Sequence, residues 1–241
     1  MDLKALKEYL NKFATELRNS DKEFLETRLK SLISVFPFNE YEYMLVFLRD
    51  REVITFEEYE KLRNSYVGAN QNLNLYGLSP RVFGEIWAER HLREIDARFK
   101  KASRELDPDY DGQYDIWLEG IKLEVKACRA INTKKRGDLV SKALRSDARE
   151  PFWMNFQQLK PDHCDVFIFI GVFVDQETYW VMSSQEVKKN KYLSHQHRGG
   201  IEYQIGITDK NILEFDGHRV LPEQIIYSIL RKTRLKARVI K

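Results

Sequence analysis

The sequence predicts a mixed α/β domain, a central sheet flanked by helices, preceded by a helical N-terminal region. Three observations lead there. The first 66 residues repeat apolar side chains at helical spacing. Residues 114–127 alternate apolar and polar side chains about a Glu119-Gly120 turn. Residues 166–174 (VFIFIGVFV) are apolar on both faces, as a central strand must be.

Taken in order, Leu3, Leu6, Tyr9, Leu10 and Phe13 mark a first helix. Asp21 is placed to cap a second, carrying Phe24, Leu25, Leu29, Leu32 and Ile33 and broken by Pro37. Residues 40–49 and 56–66 form two more. The latter is started by Thr55 with Glu58 three positions on, a capping-box pattern. The polar run from Gly68 reads as a linker ending near Gly77, which separates a helical region, 1–77, from a main domain, 78–241. Ser79 and Pro80 then start a helix running to about Lys100. Asp107–Gly112 is turn chemistry before the hairpin. A basic stretch of helical character fills 137–160, and Tyr179–Met182 supplies a neighbour for the central strand. Phe215-Asp-Gly-His is a hairpin turn, and residues 222–233 form a closing helix.

Composition narrows the function classes. Hydrophobic residues make up 43% and charged residues 32% of the 241, which excludes a mainly disordered chain. No uncharged apolar run is long enough to span a bilayer. Two cysteines, Cys128 and Cys164, build neither a disulfide framework nor a zinc site, and the opening MDLKALKEYL lacks a secretory pattern. A cytoplasmic location is expected. The net charge of +3 is unevenly spread: residues 129–149 hold seven basic side chains against Asp138 and Asp147, and residues 231–241 hold six and no acid. Such local patches suit a polyanionic partner.

The chemistry concentrates in the hairpin. With Glu119-Gly120 as a two-residue turn, Leu118 pairs with Ile121 and Asp115 falls opposite Glu124. Lys126, two residues on, joins the same face. The other face collects Ile116, Leu118, Ile121, Leu123, Val125 and Ala127. Two carboxylates held that close repel unless a cation lies between them, and hard oxygen donors favour Mg²⁺. A carboxylate pair with Mg²⁺ and a lysine is suited to phosphoryl chemistry.

Asp115-X8-Glu124-Val125-Lys126 resembles the core motif of the PD-(D/E)XK nuclease superfamily, which has the restriction-endonuclease-like fold. The resemblance covers about residues 79–185. It implies that Asp115, Glu124 and Val125 hold Mg²⁺ and that Lys126 assists water activation. The family's proline before the first acid is replaced by Tyr114. A literal Pro-Asp occurs at Pro108-Asp109, but only Asp115 pairs with Glu124 across the hairpin. The family also has a preceding helix that contributes a glutamate, and a helix between hairpin and central strand. Glu85 falls on the Ala88–Leu92–Ile95–Phe99 stripe and is the candidate, with Glu89 second. The implied activity is hydrolysis of double-stranded DNA, most similar to a type II restriction endonuclease acting as a homodimer. A structure-specific repair nuclease and a non-catalytic DNA-binding protein are the alternatives.

Candidate DNA contacts are Arg129, Lys134, Lys135, Arg136, Lys142, Arg145 and Arg149, with His195, His197 and Arg198 in a polar loop. Gln157 and Gln158 read as helical, and Cys128 as a small core residue.

Overall fold

A computed structural model describes residues 3–31, 38–196 and 202–239. The chain divides into two compact units. One gathers residues 1–78, 135–149 and 173–176; the other gathers 79–134, 150–172 and 177–241.

The first unit is built on four helices, α1 (Leu3–Ala14), α2 (Asn19–Ser31), α3 (Phe38–Asp50) and α4 (Phe56–Ala69). Leu6, Leu10, Leu25, Met44, Leu45, Leu48 and Tyr66 are buried. The Thr55–Glu58 capping box is present, with the Glu58 N–H donating to Thr55 Oγ1 at 3.1 Å and the Thr55 N–H to Glu58 Oε2 at 2.8 Å. Asp21 lies in the first turn of α2 and does not cap it. Pro37 and its turn fall outside the described residues. The expected polar linker is structured: Leu73–Gly77 is a 3₁₀ turn with Leu73, Leu75 and Tyr76 buried. Asn72 explains this, because its Nδ2 donates to the Phe173 carbonyl at 3.0 Å and its N–H to the Val174 carbonyl at 2.9 Å. The asparagines of this stretch hold buried backbone that water would otherwise satisfy.

The second unit is a two-sheet α/β body. The chain is helical from Pro80 to Ile95, first as a wide π-type turn (Val82–Trp87), then as α5 (Ala88–Ile95). The helix expected to reach Lys100 ends early, and Lys100–Lys101 forms β1 instead. A six-stranded mixed sheet has the order β1-β2-β3-β6-β7-β10, with β2 (Ile116–Leu118), β3 (Ile121–Arg129), β6 (Val166–Val172), β7 (Glu177–Ser183) and β10 (Arg219–Val220). Strand β6 is buried along its whole length and lies parallel to β3 and antiparallel to β7. A second sheet has the order β4-β5-β9-β8, with β4 (Ile131–Asn132), β5 (Phe152–Leu159), β8 (Leu193–His195) and β9 (Tyr203–Thr208). Short α6 (Ser184–Lys188) follows β7, and α7 (Ile225–Val239) closes the chain as expected.

No helix joins β3 to β6, contrary to the expectation for residues 137–160 and to the family pattern. The crossover that a parallel pair requires contains strands β4 and β5 instead. The missed signal is the alternation in β5: Phe152, Met154 and Phe156 are buried, while Trp153 and Gln157 are exposed. A bulge follows at Gln157-Gln158, where Gln158 has φ +58°, so both glutamines belong to a strand and not to a helix. Phe215-Asp-Gly-His forms a 3₁₀ turn rather than a hairpin, because Phe215 is buried in the middle of it. Among the described residues no helix is long and apolar enough to cross a membrane.

Candidate functional site

The hairpin register is the expected one: Leu118 faces Ile121, Trp117 faces Lys122 and Ile116 faces Leu123. Glu119 and Gly120 both have positive φ, +49° and +91°, which matches the twist of a two-residue hairpin. Asp115 departs from this register, and the expected pairing of Asp115 with Glu124 does not form. The Asp115 N–H donates to the Leu123 carbonyl at 3.0 Å, the residue already opposite Ile116. Asp115 and Ile116 therefore both face Leu123, a bulge at which β2 ends. The Val125 N–H would face an empty edge, and the Asp115 carboxylate takes the place of the missing strand, with Oδ2 accepting that N–H at 2.9 Å. In an extended strand a residue's N–H and C=O point to the same side. The Val125 carbonyl is thus directed at the edge where Asp115 lies.

Glu124 and Lys126 share the other face of β3, and Glu124 Oε1 meets Lys126 Nζ at 2.6 Å. Solvent does not own that face. Glu124, Lys126 and Cys128 sit beside Phe167, Phe169 and Gly171 of β6, and strand β5 of the second sheet packs against β3. Phe156 of β5 meets Phe169 edge-on at 5.0 Å. Gly171 is required there, since a Cβ would lie 2.7 Å from Met154 Sδ and 2.8 Å from Trp180. The Asn155 N–H donates to Cys128 Sγ at 3.1 Å, tying β5 to the strand of the site, and burial pushes the Cys128 thiol up to about 12.

This enclosure sets the electrostatics. Burial, reinforced by Asp115, pushes the Glu124 carboxyl up to about 7 despite the Lys126 ammonium beside it. Burial also raises the Asp115 carboxyl, against the pull of Lys126 and the Val125 N–H. Burial alone would lower the Lys126 ammonium, but Glu124 and Asp115 outweigh it and the net shift is upward. Two crowded carboxyls thus share one ammonium.

Glu85 is corrected. It is exposed, pairs with Arg81 at 3.0 Å and leaves the buried side of the helix to Phe83, Ala88 and Leu92. The wide turn at 82–87 has more residues per turn than an α-helix, so the stripe counted back from Leu92 loses phase before reaching Glu85. Glu89, the second choice, faces inward. Its side chain is 14% exposed, its carboxyl is raised by burial, and it senses Asp115. Glu85 keeps a weak electrostatic influence on Asp115. The half-buried Tyr110 lies within reach of Asp115, Glu89 and Glu124, and its ring packs edge-on against Tyr114 at 5.1 Å. Nothing in the spacing of the sequence marked it.

Asp109 is exposed, and its carboxylate takes no part in the cluster. The aspartate that matters in that turn is Asp107, which accepts from Tyr114 Oη at 2.8 Å, pairs with Lys122 at 2.7 Å and so anchors the start of the hairpin.

The candidate DNA contacts separate. Lys134, Lys135, Arg136 and Arg149 are exposed and Lys142 half-buried. Arg129 is buried, with its guanidinium 3.9 Å from the Phe83 ring centre, and Arg145 donates to the Ala69 carbonyl at 2.8 Å and approaches Asp175 at 3.6 Å. Those two work inside the fold, which corrects the expectation that they reach a partner. His195 ends edge strand β8 rather than lying in a loop, and its ring packs on Tyr203 at 4.5 Å. His197 and Arg198 lie outside the described residues.

Among the described residues no three His, Cys, Asp or Glu side chains gather as a metal cluster. The donor set fits Mg²⁺ nonetheless, because that ion takes one or two carboxylates and fills its octahedron with water and substrate oxygens. The chain matches no protein-family model, and no curated protein matches its sequence.

Proposed function

We propose that the protein is a Mg²⁺-dependent DNA endonuclease of restriction-endonuclease-like type, hydrolysing phosphodiester bonds in double-stranded DNA. The observation that carries this reading is the enclosed Asp115–Glu124–Lys126 cluster at the frayed end of the hairpin, where two carboxyls of raised pKa share one ammonium. Asp115 and Glu124, with the Val125 carbonyl, would hold the ion. When bound, Mg²⁺ supplies positive charge that neutralises the transferring phosphoryl group. Asp115 is fixed by the Val125 N–H, so its free oxygen keeps one direction. Lys126 retains its proton under both carboxylates, and its Nζ orients an attacking water and offsets charge on the phosphorus oxygens. The 3′-oxygen is the leaving group. The second sheet excludes water from the Glu124 side, which strengthens each of these interactions.

The test is supercoiled plasmid incubated with the protein and Mg²⁺ or EDTA. Nicked or linear product with Mg²⁺ alone, lost in Asp115→Asn and Glu124→Gln, supports the reading; equal cleavage by both variants removes it. A type II restriction enzyme working as a homodimer predicts discrete fragments, and a repair nuclease predicts cutting confined to flaps or ends.

A further inference from the structure

Two lysines flank the carboxylate cluster and take no part in the chemistry above. Lys101 lies on β1 opposite Ile116, the neighbour of Asp115. The Ala102 N–H donates to the Asp115 carbonyl at 3.1 Å, so β1 is pinned beside that residue. Lys101 Nζ is 3.6 Å from Glu89 Oε2, its side chain is 67% exposed, and its charge is felt at Asp115. Lys160 follows β5 and stands on the Glu124 side of the cluster. That strand runs back along β3: Asn155 lies at Cys128, and Phe156 packs on Phe169, the register partner of Lys126. Past the bulge at Gln158, Lys160 comes level with Glu124 and its charge lowers the Glu124 carboxyl. Lys160 Nζ is 3.2 Å from Glu202 Oε1, with the side chain 39% exposed.

Each lysine leans on an acid outside the pair that would hold the ion. Both contacts are longer than the 2.6 Å between Lys126 and Glu124, and each lysine side chain is itself exposed enough to turn to a second partner. We infer that Lys101 and Lys160 are phosphate contacts on the two sides of the Asp115–Glu124 cluster, each taking one phosphate of a nucleic-acid strand laid across it. This rests on the nuclease reading and adds the substrate footprint to it. The physical reason is that two buried carboxylates repel a polyanion. The ion and Lys126 offset that repulsion at the phosphate being cut, and cations on both flanks extend the attraction to its neighbours. Lys126 cannot reach those neighbours as well, since its ammonium is committed to Glu124 at 2.6 Å.

The test is the salt dependence of binding. The full chain, with Ca²⁺ replacing Mg²⁺, is titrated against a short fluorescent DNA duplex of arbitrary sequence at a series of NaCl concentrations. Lys101→Gln and Lys160→Gln should each reduce the slope of log K against log[NaCl] by about 0.9, and the double variant by about twice that. Lys210→Gln is the control: this exposed residue follows β9 just past Thr208, at the end of the second sheet opposite Lys160. Circular dichroism of each variant separates lost contacts from lost fold. Unchanged slopes in folded Lys101→Gln and Lys160→Gln, or an equal drop in Lys210→Gln, overturn the inference, as does a wild-type chain that binds no duplex. Reduced slopes without Mg²⁺-dependent cleavage would remove the nuclease and leave the footprint; cleavage with unchanged slopes would do the reverse.

Discussion

The sheet-rich unit holds two lysine–glutamate pairs, Glu124–Lys126 on β3 and Glu186–Lys232 between α6 and α7, and their carboxyls shift in opposite directions. Glu186 moves down. Burial pushes it up, but Lys232 donates to both its oxygens at 2.7 Å, and the Ser183 N–H and hydroxyl donate to Oε2 at 2.7 and 2.9 Å. Glu124 moves up to about 7, with Lys126 its only ion-pair partner among the described residues and Asp115 crowding it. One carboxylate is saturated and acts as a bracket. The other is undersupplied with donors, the state in which a site gains most from a cation.

The largest effect expected from this contrast is on activity. Asp115→Asn or Glu124→Gln should lower Mg²⁺-dependent plasmid cleavage about a thousandfold, and neither should lower the thermal midpoint, because each removes a crowded charge. A concurrent collapse of the fold would show that the cluster is a bracket as well.

Next is Lys232→Met. It strands a satisfied carboxylate and should cost about 2 kcal/mol by urea denaturation. That is below the usual cost of breaking a buried pair, because the Glu186 side chain is 37% exposed. No loss of stability would erase the contrast from the other end.

The two carboxyls should also imprint opposite pH dependence. Glu124 is raised above its ordinary 4.5, so its contribution is full below pH 4.5 and is lost as pH rises through about 7. Glu186 is lowered, so its contribution is present above 4.5 and is lost as pH falls through its depressed value. Stability measured against pH in Glu124→Gln should lose the decline between pH 4.5 and 7 and keep the acid-side loss. Mg²⁺ at ten times its dissociation constant should add about 1.4 kcal/mol to the wild type at pH 8 and much less at pH 5, when Glu124 holds a proton.

The smallest effect is Ser183→Ala. It removes one hydroxyl donor from Glu186 and the cap of α6, costing about 1 kcal/mol and moving the acid-side loss to higher pH. An unchanged acid limb would show that Lys232 alone saturates Glu186.

Local physics made the hairpin legible. Its turn demanded positive φ at Gly120, its pleat separated acids from aliphatics, and both follow from a few adjacent residues. Strand β5 was misread because the basic residues before it masked a short alternation, and an isolated eight-residue run has no local arbiter between strand and helix. Glu85 was misplaced because a wide helical turn leaves no mark in apolar spacing.

By itself the sequence determined the helical start of the chain, the register of β2 with β3, the buried strand β6 and the placing of Glu124 and Lys126 on one face of β3. Each is a matter of period two, period 3.6 or turn chemistry. Only the tertiary structure decided that the polar face of β3 lies beneath a second sheet, that Glu89 rather than Glu85 faces Asp115, and that Lys160 arrives from 36 residues downstream of Glu124. Those depend on which surfaces find each other. The raised carboxyls come from the burial that packing imposes, and no spacing within one strand encodes it.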